Sequence, residues 1–325
     1  MVDKCDTVPG MIRRSVLLAV AVGCGSHAMP PAGVDGQTGG DGAVADAMPA
    51  CSGLSAPPAD DTWQVMGRAV TVHVPASYTP ATRTAIVIDL HGLGSSGSAQ
   101  ALLSHLSAKA DAVGFIAISP DGTGTPLGWS SGDCCDPARA SGVDDSAFVA
   151  ALIDAAEARL CVDTHRVYAA GFSNGAYLTH RLACRLADRI AAIGAVAGVL
   201  NHDDADCTPA RPVPVIQVHG TSDLVVPFGG GGANGSMSVD DSIAAWVTKN
   251  QCAAAAPTTF LAHGDATCVN HGGCAAGADV ALCTIDGGGH QWPSGISVGP
   301  FNGKDSTDMS ATDQLWAFFA AHPMP

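Results

Sequence analysis

The chain has 325 residues, of which 47% are hydrophobic, and 30 acidic against 15 basic residues give it a formal net charge of −15. This length and hydrophobic content suffice for one large α/β domain with a full core, and they argue against a second complete domain. The acidic excess argues against nucleic acid and anionic membrane surfaces as partners, because both attract basic proteins.

The first 24 residues have the pattern of an export signal. Met11-Ile12-Arg13-Arg14 supplies a basic start, Ser15 to Val22 a short apolar run, and Ala21-Val22-Gly23-Cys24 a cleavage site of small residues. The pattern resembles a bacterial lipoprotein signal, in which Cys24 is lipidated, with an ordinary secretory signal as the alternative. Either reading places the protein outside the cell or in the cell envelope, and a lipid at Cys24 would attach it to a membrane. Met11 is an alternative start to Met1.

Residues 25–55 are rich in Gly, Ala, Pro and Asp and have almost no large apolar side chain. Such a segment buries too little surface to offset the entropy of ordering, so we predict a disordered linker. The predicted folded domain then covers residues 56–325.

Ten cysteines remain beyond Cys5 and Cys24, and an even number in an exported chain favours disulfides. We expect Cys184 to pair with Cys207, and Cys252 with one of Cys268, Cys274 or Cys283. A zinc site formed by Cys268, His271, Cys274 and His263 is an alternative that the spacing loosely suggests.

The predicted elements alternate between strands and helices. In chain order they are a hairpin over 62–74, a buried strand over 85–90, a helix over 98–110, a strand over 115–119, a long loop over 120–141, a helix from 144, a strand over 166–170 running into a helix from 176, strands over 192–199 and 213–218, a helix over 239–249, a last strand over 280–285 and a closing helix over 307–321. This alternation predicts an α/β fold, with a mostly parallel sheet and helices on both faces.

The Gly-x-Ser-x-Gly pattern occurs three times, centred on Ser130, Ser173 and Ser297. Only Ser173 follows a strand-like run and precedes apolar residues at helical spacing. That context is the nucleophile elbow, a sharp turn that exposes the serine hydroxyl above the sheet.

Two partners suited to Ser173 follow predicted strands later in the chain. Asp223 comes 50 residues after Ser173, and His290 comes 67 residues after Asp223. Because active sites of open α/β sheets form beyond the carboxyl ends of strands, we predict a Ser173–Asp223–His290 triad, in the chain order of α/β-hydrolases. His290 would be the general base and Asp223 its orienting acid. Asp89 is a rival acid that precedes the nucleophile, and His219 a rival base that we take as structural.

The backbone amides of Leu93 and Asn174 are the predicted oxyanion-hole donors. His91, Trp129 and Trp292 are candidates for the substrate pocket, and for the two tryptophans simple packing is the alternative. We predict no metal and no cofactor.

Eight short motifs occur in one order: LHG at 90–92, PDG at 120–122, GW with CC over 128–135, VDD at 143–145, CVD at 161–163, GFSNGAYLTHRLAC at 171–184, HGTSDLVVPF at 219–228 and GGGHQWP at 287–293. Together they resemble the extracellular polyhydroxybutyrate depolymerase and feruloyl-esterase-like family of α/β-hydrolases, over residues 60–322. The resemblance implies an α/β-hydrolase fold, the same triad and release of a carboxylic acid from an ester.

The family resemblance leaves the substrate open among polyhydroxybutyrate, feruloylated or acetylated polysaccharide and simpler esters. The extra cysteines between 252 and 283 depart from the family pattern. A noncatalytic surface-binding protein on a hydrolase scaffold and a serine peptidase are the alternatives.

Overall fold

The computed structural model describes residues 51, 53–55, 57–132, 134–233, 235–299 and 302–325. The predicted export signal, the lipidation of Cys24 and the linker up to residue 50 lie outside the described residues and stay predictions.

One mixed sheet organises the described chain. Its ten strands are β1 (Asp60–Val65), β2 (Arg68–His73), β3 (Thr84–Leu90), β4 (Ile116–Pro120), β5 (Val162–Phe172), β6 (Ala192–Val196), β7 (Val215–Gly220), β8 (Thr258–His263), β9 (Ala266–His271) and β10 (Val280–Ile285). Their order across the sheet is β1-β2-β4-β3-β5-β6-β7-β10-β9-β8. The six strands from β4 to β10 in this order are parallel, and an antiparallel pair extends each edge.

The central strands are apolar because both of their faces are covered. All seven residues of β3 are buried, and so are all residues of β4, β6 and β7. A parallel sheet with helices on both faces requires such uninterrupted apolar runs. The predicted α/β-hydrolase architecture is therefore confirmed, with the carboxyl ends of β3, β5, β7 and β10 at one edge.

Six helices cover the sheet within the described ranges: α1 (Gly97–Ser104), α2 (Leu106–Val113), α3 (Asp145–Glu157), α4 (Asn174–Arg185), α5 (Val239–Lys249) and α6 (Ala311–Ala321). Apolar side chains of α3, α4 and α5 enter one core cluster, and those of α2 and α6 enter the cluster on the opposite face. In the part of the chain that the structure describes, no helix has the length and apolar character to cross a bilayer.

Several elements differ from the predicted ones. The helix predicted over 98–110 is two helices, because His105 adopts a left-handed conformation with φ 57° between them. The closing helix begins at Ala311, where the Ser310 side chain accepts a hydrogen bond from the Asp313 amide as an N-cap. The β8–β9 hairpin, which turns at Gly264-Asp265, was not predicted.

Five disulfides join described cysteines: Cys51–Cys161, Cys134–Cys135, Cys184–Cys207, Cys252–Cys274 and Cys268–Cys283. The predicted Cys184–Cys207 pair is confirmed, as is the pairing of Cys252 within its predicted set. The zinc alternative is wrong, because Cys268 and Cys274 are both oxidised into disulfides. Cys51 lies within the predicted linker, yet its bond to Cys161 joins it to the domain.

Candidate active site

Ser173 lies at the turn between β5 and α4, in a backbone conformation that few residues adopt. Its φ is 53° and its ψ −118°, outside the regions that L-residues prefer. Glycines on either side permit this turn: a Cβ on Gly175 would lie 2.1 Å from the Leu90 carbonyl oxygen, and one on Gly171 would lie 2.4 Å from the Gly175 carbonyl carbon. The segment therefore has the geometry of a nucleophile elbow.

Asp223 and His290 follow β7 and β10, two neighbouring parallel strands. His290 Nδ1 donates a hydrogen bond of 2.8 Å to Asp223 Oδ2. The amides of Val225 and Val226 each donate a 2.8 Å bond to Asp223 Oδ1. The carboxylate thus accepts bonds at both oxygens, which fixes its orientation and leaves Nε2 of His290 as the proton acceptor.

The charge state of Asp223 follows from these contacts. Burial by itself opposes ionisation of this carboxyl, but the hydrogen bond and the charge of His290, with the Val226 amide, outweigh burial and lower the pKa of Asp223. The ionised form of Asp223 is therefore favoured beside the His290 imidazole.

Ser173 and His290 line the same cleft, which has a volume of about 350 Å³. The Phe172 ring lies between this cleft and the core, with its centroid 4.9 Å from that of His290. No hydrogen bond joins Ser173 Oγ to His290 Nε2 in this structure, although both residues are described. Such contacts are often long in a free enzyme and tighten when substrate binds. The structure therefore brings all three predicted triad residues to one edge of the sheet.

Leu93 borders the same cleft as Ser173, Asn174 follows Ser173 in the chain, and neither backbone amide donates a hydrogen bond to another described group. The loop that carries Leu93 runs close to the elbow, since a Cβ on Gly92 would lie 3.4 Å from Ser173 Cβ. Two free amides beside a nucleophile suit a developing oxyanion. This arrangement agrees with the predicted oxyanion hole, whose role stays a proposal.

The Asn174 side chain ties the elbow to the loop that carries Trp129. Its Oδ1 accepts a 2.7 Å bond from the Trp129 amide, and its Nδ2 donates to the Trp129 carbonyl oxygen and to Ser131 Oγ. Its Nδ2 also lies 3.8 Å from Cys134 Sγ. Asn174 therefore positions the wall of the cleft as well as offering its amide.

The prediction that His91, Trp129 and Trp292 line the pocket is wrong. All three side chains are buried in the fold and none borders the cleft. His91 accepts a bond from the Gly122 amide at Nε2, Trp129 donates to the His91 carbonyl oxygen, and Trp292 donates to Thr312 Oγ1. Large side chains with satisfied polar atoms pack behind the loops that form the cleft.

The rival residues have other partners. His219 Nε2 donates a 2.8 Å bond to the Val226 carbonyl oxygen, so this ring supports the Asp223 turn. Asp89 is fully buried and accepts bonds from Gln100 Nε2 and Ser104 Oγ. Neither ring nor carboxylate is placed to serve Ser173.

Several lining residues had not been predicted, among them Cys134, Cys135, Tyr177, Val225, Val226 and Asn302. The paired cysteines follow the Gly-Trp motif in the sequence, but their spacing does not indicate whether they face the cleft, the core or solvent. For Val225 and Val226, the closeness of these residues to Asp223 in the chain was the local signal that they would line the cleft.

Comparison with known proteins agrees with this geometry. The chain is 32% identical to feruloyl esterase B of Piromyces equi over 235 residues. The aligned region covers 69% of this chain and 42% of that protein. It is 28% identical to the putative esterase NocK of Nocardia uniformis over 257 residues, and this aligned region covers 71% of this chain and 73% of that protein. The chain thus spans less than half the length of the Piromyces protein. The acetyl xylan esterase structure from Aspergillus awamori superposes with a TM-score of 0.58 at 14% identity, over 80% of this chain and 99% of that one, and shows the fold.

These likenesses confirm the resemblance to feruloyl esterases predicted from the motifs. The model of the phospholipase/carboxylesterase family matches residues 74–240, just over half of the chain. The chain belongs to the phospholipase/carboxylesterase family of α/β-hydrolases.

Proposed function

We propose that the protein is a serine esterase, which hydrolyses carboxylic esters through a covalent acyl-enzyme. One observation carries the proposal: Ser173, at a strained elbow, borders the same cleft as an imidazole whose Nδ1–H is held by Asp223 at 2.8 Å. Family membership supports the reaction class, and the relatives' names support esters as substrates.

Acylation begins at Ser173, whose hydroxyl is a poor nucleophile at neutral pH. His290 Nε2 takes the hydroxyl proton while Ser173 Oγ bonds to the ester carbonyl carbon, and Asp223 stabilises the imidazolium that forms. The negative oxygen of the tetrahedral intermediate accepts bonds from the Leu93 and Asn174 amides. The carbon–oxygen bond to the alcohol then breaks, and His290 gives its proton to the departing alkoxide.

Deacylation repeats these steps with water. His290 removes a proton from water as its oxygen attacks the acyl carbon, and the bond to Ser173 Oγ breaks as the serine regains a proton. The products are a carboxylic acid and free enzyme. Protein side chains, backbone amides and water supply every group in this sequence, and no cofactor takes part.

The test uses two serines that share the same five-residue pattern. Ser173→Ala is expected to abolish hydrolysis of an activated aryl ester and covalent labelling by a fluorophosphonate. Ser297→Ala, in an exposed loop, is the matched control and is expected to retain both. Undiminished labelling of the Ser173 variant would contradict the proposal.

For the substrate we propose an ester of a hydroxycinnamic acid. Several relatives are named as feruloyl esterases. Lining residues that include Leu93, Tyr177 and the Cys134–Cys135 pair suit an aryl acyl group. The measurement is kcat/KM on methyl ferulate, acetylated xylan and hydroxybutyrate oligomers side by side, and a preference of tenfold or more for either of the last two would overturn the assignment.

We propose that the protein is exported and anchored by lipid at Cys24. Five disulfides in the described chain support an oxidising compartment. Intact-mass analysis of protein expressed in a bacterial host with the lipoprotein pathway is expected to show a mature chain that begins at Cys24 and carries acyl chains. A mature chain without lipid would leave the secretory alternative.

A further inference from the structure

Two groups of residues that line the cleft around Ser173 contact different parts of the site, and each forms one wall of it. One wall packs around His290. Phe172 lies 4.9 Å from His290 between ring centroids, and the Asn302 carbonyl oxygen accepts a 2.6 Å bond from the His290 amide. Asn302 Nδ2 in turn donates to the Val298 carbonyl oxygen at 2.9 Å. We call Phe172, Val298 and Asn302 the histidine wall.

The other wall lies on the side of Asn174. The Cys134–Cys135 disulfide borders the cleft here, and Cys134 Sγ is 3.8 Å from Asn174 Nδ2. Tyr177 continues this wall one helical turn after Ser173, with its amide bonded to the Ser173 carbonyl oxygen. We call Cys134, Cys135 and Tyr177 the disulfide wall.

Reaction chemistry assigns the two halves of an ester to the two walls. The alcohol oxygen must lie beside His290 Nε2, because it receives the proton from this atom as the bond to the acyl carbon breaks. The carbonyl oxygen lies at the Leu93 and Asn174 amides, and the acyl carbon at Ser173 Oγ. The remaining substituent, the acyl chain, is left to the side of the cleft away from His290, and the disulfide wall beside Asn174 is the candidate surface for it.

The disulfide is held firmly enough to act as a fixed boundary. The Cys134 carbonyl oxygen accepts bonds from the Ser131 amide at 2.9 Å and from Ser131 Oγ at 2.7 Å. The Cys135 carbonyl oxygen accepts a 3.1 Å bond from the Arg139 amide. Cys134 is buried and Cys135 half-buried, so the pair offers the cleft a compact face of polarisable sulfur.

We propose that the Cys134–Cys135 disulfide is the acyl-specificity determinant of this enzyme, a wall that limits the length and shape of the acyl group that Ser173 accepts. The inference rests on the proposed esterase function and adds the side of the ester that this wall reads. The other four disulfides between described cysteines lie away from the cleft, so the Cys134–Cys135 pair is the one disulfide of the described chain that borders it.

The experiment compares two series of esters on the full-length enzyme. One series varies the acyl chain from acetate to octanoate with p-nitrophenol as a constant leaving group. The other varies the alcohol of acetate esters from methyl to phenyl. The variant is Cys134→Ala with Cys135→Ala, and the matched control is Cys184→Ala with Cys207→Ala, which removes a disulfide that does not border the cleft.

Loss of the sulfur atoms is expected to raise the octanoate-to-acetate ratio of kcat/KM about tenfold, since pocket contacts of a methylene or two carry 10-fold or larger discrimination. The phenyl-to-methyl ratio of the alcohol series is expected to change less than twofold. The control variant is expected to keep both ratios. An unchanged acyl ratio, a shift confined to the alcohol series, or an equal acyl shift in the control would each overturn the assignment.

A second variant keeps the test decisive if the double cysteine variant does not fold. Phe172→Leu, on the histidine wall, is expected to shift the alcohol ratio and to keep the acyl ratio, and the opposite result would overturn the assignment of the walls. Failure of the proposed function is distinguishable, because it would appear as no hydrolysis of any ester by the unmodified enzyme.

Discussion

Replacement of Asp223 by asparagine tests the triad most sharply, because the structure fixes which way the new amide must turn. Asp223 Oδ1 accepts the amides of Val225 and Val226, each at 2.8 Å. An asparagine keeps its oxygen there, since its NH₂ group cannot face two N–H donors. The NH₂ group then faces His290 Nδ1, which must become an acceptor. The imidazole proton moves to Nε2, and His290 can no longer take the proton of Ser173.

The expected loss in kcat is about 10⁴-fold, the size found when the same change reverses the histidine tautomer in a serine protease. This corresponds to about 5 kcal/mol of transition-state stabilisation. The assay is kcat and KM for p-nitrophenyl acetate at neutral pH. KM is expected to change little, because Asp223 is buried and does not border the cleft.

Asp89→Asn is the matched control, since Asp89 is an equally buried carboxylate near the end of β3 and its partners are Gln100 and Ser104. It is expected to keep kcat within about tenfold. The reasoning is refuted if the Asp223 variant retains kcat within tenfold of the unmodified enzyme, or if the Asp89 variant loses as much.

Three further predictions concern stability. Burial, against the hydrogen bonds of Ser104 and Gln100, raises the pKa of Asp89 to about 7, so the folded state keeps a proton that the unfolded chain releases. The free energy of unfolding should therefore fall as pH rises from about 4 to about 7, by up to about 1.4 kcal/mol per pH unit, and urea unfolding of Asp89→Asn should lack this slope. Gly175→Ala places a Cβ 2.1 Å from the Leu90 carbonyl oxygen and should cost about 3 kcal/mol or more in urea unfolding, together with most of the activity; wild-type stability would contradict the elbow packing. Arg68→Leu leaves the buried Asp145 without its 2.6 Å partner and should cost about 3–5 kcal/mol, whereas a loss below 1 kcal/mol would show that the pair is not buried in solution.

Local signals were enough for much of this molecule. The bounds of β10 and α5 coincide with the predicted ranges. An apolar run of six residues defines the ends of β10, and an N-cap followed by an amphipathic segment defines α5, so both elements can be located from local sequence. The elbow at Ser173 was equally readable, since strand, glycine-flanked turn and helix adjoin in the chain.

Other features depended on contacts that the sequence does not encode locally. The β8–β9 hairpin has no clear local signal, because its cysteine and histidines also fit a metal site by their spacing. The Cys268–Cys283 disulfide, which joins β9 to β10, shows that this segment extends the sheet instead. Trp129 and Trp292 resemble pocket residues by type and position. Whether such a side chain faces a cleft or the core is decided by the loop that packs over it.

By itself, the sequence determined the fold class, the position of the nucleophile elbow and the chain order of serine, acid and histidine, because each arises from periodicity or from a turn within a few residues. Only the tertiary structure decided what borders the cleft. In that structure the Cys134–Cys135 pair lies beside Asn174, and the side chains of His91, Trp129 and Trp292 are buried. The physical reason is that strand periodicity fixes where a strand ends, whereas the direction of a loop side chain depends on packing against segments far away in the chain.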